Sequence, residues 1–203
     1  MINSYDALTL GTYMKVNAVL DTDADDLDKQ VRIIAILSGK TEDEVLLLPI
    51  ADYASMAKET AFLREHCPPS DIGDGWRFGN LVPVTDFRKI NTAQYVDFQE
   101  FSKGFPRTLP ELLSTLMVPD GFSYNDGYDV LRVQDQLRAM PLADALGLAA
   151  FFFAKFVRLT ADSLTSWASD LTKTEDPKAK GEIAAKIWEV RTLLERAGVG
   201  LQM

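Results

Sequence analysis

Apolar residues along this 203-residue chain recur mostly every three or four positions, the spacing of amphipathic helices. In "LTLGTYMKVNAVL", Thr9 suits an N-cap, and Leu10, Tyr13, Val16 or Asn17, and Leu20 follow near helical spacing. "ADDLDKQVRIIAILSG" opens on acids, which suit the positive end of a helix, and closes at Gly39, a natural C′ residue. "TEDE", residues 41–44, matches a capping box: Thr41 bonds the third residue's N–H and Glu44 reaches back. The short helix it opens runs into Pro49, which starts "PIADYASMAKETAFLREH".

The rhythm changes over residues 67–90. "CPPSDIGDG" is dense in turn formers, and in "WRFGNLVPV" Trp76 and Phe78 alternate with Arg77 ahead of Gly79-Asn80. This predicts a β-hairpin near 75–85 with a type II′ turn, Pro83 marking an edge strand. A lone hairpin is marginal, so it must pack on the helices or pair with another chain. Helical spacing then returns in "TAQYVDFQEFSK", capped by Asn91 or Thr92, in "LPELLSTLMVP" and in "YDVLRVQDQLRAM". Pro141 opens the longest helix, residues 141–172. "KTEDPKAKG" is a polar break before a last amphipathic helix, with Ile183, Ile187, Val190 and Leu194 on one face and Gly198 as its stop. The predicted fold is mainly α: a helical domain over 1–172 with a β-hairpin insertion, then a linker and C-terminal helix over 173–203.

The most apolar stretch is "ALGLAAFFFAKF", residues 145–156. A membrane span needs about 20 consecutive apolar residues. This run is half that, and Asp144, Lys155 and Arg158 close it. At helical pitch Leu142, Leu146, Ala149, Phe153, Phe156, Leu164, Trp167 and Leu171 form one stripe, predicted to be core, with Phe152 at its edge. Leu148 and Phe151 fall on or beside the charged side. Two explanations stand: the chain itself covers both sides of this helix, or Leu148, Phe151 and Phe152 form a docking face for a partner. Trp188, in the last helix, is a further partner-binding candidate.

Composition narrows the function. A net charge of −9, with Lys and Arg spread along the chain, disfavours nucleic acid and anionic membrane surfaces. The single cysteine, Cys67, excludes an intramolecular disulfide and fits a reducing compartment. "MINSYDALTL" lacks the basic start and apolar core of a signal peptide, so a cytosolic protein is expected. "DTDADDLD" fails as a calcium loop: Asp26 stands where glycine is needed and Arg32 where a bidentate glutamate is needed. His66 and Cys67 are too few for a zinc set, and as sequence neighbours they point apart. Gly39-Lys40-Thr41 lacks the first glycine of a phosphate loop and follows a helix, where such a loop follows a strand. No catalytic, metal or cofactor motif emerges, and the expectation is a non-enzymatic protein with no cofactor.

"YDALTLGTYMKV", "ILSGKTEDEVLLLPIADYASM", "INTAQYVDFQEF", "LMVP" and "MPLADALGLAAFFF" resemble, in this order, small proteins encoded among the tail genes of tailed bacteriophages. Some of these are tail assembly chaperones, partners of the tape-measure protein; others are virion-associated. The resemblance spans residues 5–153 and consists of helical phrases, so it maps no functional residue. It implies a binding protein, acidic and helical, that offers apolar surface to helices of a long tail protein in the host cytoplasm. The alternative it implies is a structural subunit of the particle, in the tail or connector region and built on symmetric contacts. A small soluble enzyme is the remaining class, and would need a cleft with polar groups of shifted pKa.

Overall fold

In the computed structural model, which describes residues 1–73, 75–124, 126–173 and Lys178, several helices begin where a side chain takes up a free amide. Thr9 caps α1 (Leu10–Leu20) by accepting from the Thr12 amide, and Asp25 caps α2 (Asp26–Ser38) by accepting from that of Asp28. Gly39 closes α2 at φ 69°, the left-handed geometry that glycine adopts without strain. The capping box at Thr41 is formed and starts α3 (Glu42–Leu46). Pro49 precedes α4 (Ile50–Glu59), which tightens into a 3₁₀ turn over Thr60–Arg64 instead of running on to His66. Thr60 donates its hydroxyl to the Ala57 carbonyl at that transition.

Of the two residues suited to cap α5 (Thr92–Lys103), Asn91 does so: its Oδ1 accepts from the Gln94 amide at 2.8 Å. Asn91→Ala is expected to cost about 1 kcal/mol in chemical unfolding, because the first-turn amide loses its acceptor. Gln94 is itself buried and donates to the Thr115 carbonyl in α6 (Leu109–Leu116). On α6 every residue except Glu111 is buried. It packs between α5 and α7 (Val130–Arg138), with Gln134 of α7 donating to the Ser114 hydroxyl. α8 (Leu142–Lys173) is the longest element. Its start is tied to the N-terminal segment: Leu142 donates to the Leu8 carbonyl and Leu10 to that of Met140, both at 2.8 Å.

Among the described residues the fold is therefore mainly α, with one small antiparallel sheet. That sheet differs from the predicted hairpin. Gly79 has φ 59° and Asn80 a negative φ, as a type II′ turn requires, and Phe78 and Leu81 exchange both backbone hydrogen bonds across it. The pairing stops there. β1 (Leu81–Pro83) takes β2 (Met117–Pro119) as its partner, with Val82 opposite Val118. Leu81 and Met117 are fully buried, so the sheet has a packed face, which a free hairpin would lack.

By its internal contacts the chain divides into two units, residues 1–84 with 91–149, and residues 85–90 with 150–203. The first holds α1 to α7, the sheet and the start of α8. In the second, Phe87 lies with its ring centroid 6.2 Å from that of Phe152. The boundary expected near residue 173 falls at the edge of the described residues, and the last amphipathic helix lies outside them. Among the described residues no helix is long and apolar enough to cross a membrane.

Candidate interaction surface

The docking face expected on α8 needs correction. Leu148 and Phe152 are both fully buried, so a partner reaches neither. Phe151 is half-buried, set edge-on to Phe152 at 5.7 Å and capped by the Lys155 ammonium 5.2 Å from its ring centroid. The charge one turn along the helix thus covers the ring as a cation–π partner, a use of the long lysine stem that its polarity conceals. The expected core stripe also moves. Ala145, Leu148, Ala149, Phe152 and Phe156 are buried, whereas Phe153 is only partly so. The buried arc is turned by about 60°, roughly half a residue step, towards the charged side. The side chains of Leu164, Trp167 and Leu171, and Trp188, lie outside the described residues.

His66 is exposed and Cys67 buried, and both line a half-open cleft of ≈ 370 Å³. Tyr5, Tyr13, Val16, Leu63 and Leu146 supply much of its apolar wall. Burial, with a smaller push from Asp6, raises the Cys67 thiol pKa, which keeps it protonated and a poor nucleophile. Burial likewise raises the phenols of Tyr5 and Tyr13. Among the described residues no cluster of His, Cys, Asp and Glu could hold a metal ion.

A different surface stands out at the corner between α3 and α4. The segment Val45-Leu46-Leu47-Leu48-Pro49-Ile50 is apolar throughout, yet only Val45 and Leu48 turn inward. They sit three residues apart, on one helical face, and join Val31, Ile34 and Ala35 of α2 in a local core, with Tyr53 and Met56 of α4 against it. The remaining side chains point outward: Leu46 is 66% exposed, Leu47 84% and Ile50 81%. Single exposed leucines are ordinary on protein surfaces, but three near neighbours that add nothing to the core make this corner the candidate contact site.

The corner is held firmly. Leu47 donates to the Asp43 carbonyl, Leu48 to Val45 and Tyr53 to Pro49, and the Tyr53 hydroxyl reaches Gln30 of α2 at 2.9 Å. Glu44 is fixed by the Thr41 amide and hydroxyl, which hold its carboxyl below the usual carboxylate range and keep it charged. The apolar tip is thus flanked by Glu42, Asp43 and Glu44 on one side in sequence and by Asp52 on the other, all exposed. Sequence reading had passed over it, although the signal was there: the uncharged run Val45–Ile50 holds more apolar side chains than a five-residue helix and a proline corner can bury. Compared with known proteins, the chain matches no protein-family model, no curated protein and no solved structure.

Proposed function

We propose that this chain is a non-enzymatic assembly factor of a tailed bacteriophage, a tail assembly chaperone that holds helices of a long tail (tape-measure) protein in the host cytoplasm. The observation that carries a binding role is the rigid apolar tip of Leu46, Leu47 and Ile50, exposed without need from the fold. The tail assignment rests on the order of the helical phrases over residues 5–153. A holdase that works this way needs no cofactor and no reactive group; it needs apolar surface that stays open until its client arrives.

Co-expression with the long tail protein encoded beside it is the test. A stoichiometric complex and a clear gain in soluble tail protein are expected; neither appearing would overturn the proposal. Mass spectrometry of purified particles separates the chaperone from a structural subunit of the tail or connector region. A chaperone leaves before the particle is complete, so the chain is expected to be missing from virions, and stoichiometric retention would establish the structural reading instead.

A further inference from the structure

We infer that the Leu46–Leu47–Ile50 tip takes a basic amphipathic helix, one whose apolar stripe is bordered by lysine or arginine. The inference rests on the binding role proposed above and specifies its partner's chemistry. The first argument is charge. Between residues 40 and 55 one lysine stands against four carboxylates, Glu42, Asp43, Glu44 and Asp52. The nearest arginine, Arg32, is already engaged by Asp28 at 2.8 Å and by Glu42 at 3.8 Å. Among the described residues neither Asp43 nor Asp52 pairs with a cation, so the field around the tip is negative and unspent.

That field selects among occupants. A second copy of this chain, docking tip to tip about a two-fold axis, would set the same carboxylates against each other. Anionic lipid and nucleic acid are repelled for the same reason. The second argument is backbone. The corner is turn and helix with no strand edge: Leu47 and Leu48 donate within the α3–α4 turn, Tyr53 donates to Pro49, and Pro49 has no amide. An extended peptide would find no ladder there, whereas a helix satisfies its own backbone and brings only side chains.

The test uses the full chain and two synthetic peptides of about 18 residues, long enough to turn helical on binding. Both carry the same leucine stripe; one has a lysine polar face, the other a glutamate one. Fluorescence anisotropy is expected to show the lysine peptide binding at least about tenfold more tightly. Its affinity should fall by about tenfold or more in the double variant Leu47→Ser/Ile50→Ser and stay unchanged in Leu131→Ser, an equally exposed leucine on α7. The double variant should melt within a few degrees of the parent, because both side chains face solvent. Equal binding of the two peptides, or undiminished binding by the double variant, would overturn the inference. So would self-association that the double variant abolishes, since a second copy would then be the occupant. If the lysine peptide is ignored while co-expression still solubilises the tail protein, this surface chemistry fails and the chaperone role stands. Peptide binding at the tip without any tail-protein complex gives the reverse.

Discussion

Phe152→Ala is expected to lower the unfolding free energy by about 3–5 kcal/mol, the cost of emptying a fully buried aromatic site that closes only in part. The ring is wholly excluded from solvent and sits against Phe87 and Phe151. For a chain of this size such a loss lowers the Tm by roughly 6–20 °C. Phe153→Ala, one residue on and only half-buried, should cost less than half as much. Urea unfolding of the two variants side by side reads the phase of α8 directly. A larger loss from Phe153 would return the core stripe to the position that the sequence pattern suggests.

Gly147→Ala should also destabilise, against the intrinsic preference of a helix. In a solvent-facing helix interior that change gains about 1 kcal/mol, because alanine is the better helix former. Here α8 passes over the backbone of residues 70–72, and Ser70 donates its amide to the Ala143 carbonyl at 2.9 Å. A methyl at position 147 would be driven into the Ser70 carbonyl oxygen and would stand 3.1 Å from Cγ1 of Ile72. Backbone cannot swing aside as a long side chain does, so the overpacking cost reaches about 3 kcal/mol or more. The net loss expected is about 2 kcal/mol or more, measured by thermal or urea unfolding. A stabilised Gly147→Ala protein would mean that the helix and the 70–72 segment do not touch as described.

These two sites show how much of the chain could be read without coordinates. The caps at Thr9, Thr41 and Asn91 and the stop at Gly39 were legible because each is a contact between residues at most four apart. The turn at Gly79-Asn80 was legible for the same reason. The strand partner was not: Leu81–Pro83 pairs with Met117–Pro119, more than thirty residues away, and "LMVP" reads locally as the tail of a helix. Long-range pairing leaves no mark on the local pattern. On α8 the helix itself was clear, but with apolar residues on more than one side its pattern does not fix which side faces the core; the elements packed against it do. Gly147 looked like a weak point in a helix, and only the opposing backbone explains it.

The candidate surface followed a similar rule. Three phenylalanines in a row are conspicuous in the sequence, yet the fold buries Leu148 and Phe152 and caps the Phe151 ring. The less conspicuous "VLLLPI" holds the exposed apolar group, because a five-residue helix followed by a proline corner leaves room for only two of its side chains in the core. Conspicuous hydrophobicity marked the interior here. Hydrophobicity left over once the interior was satisfied marked the surface.

The central claim is that this protein works by holding a helical client on the Leu46–Leu47–Ile50 tip. Its most direct test is the amount of long tail protein that co-purifies with the tagged chain, comparing the parent with Leu47→Ser/Ile50→Ser at equal expression. The expected result is a stoichiometric complex with the parent and about a tenfold loss with the double variant, both chains remaining folded. A complex that the double variant retains in full, or none with the parent, would contradict the claim.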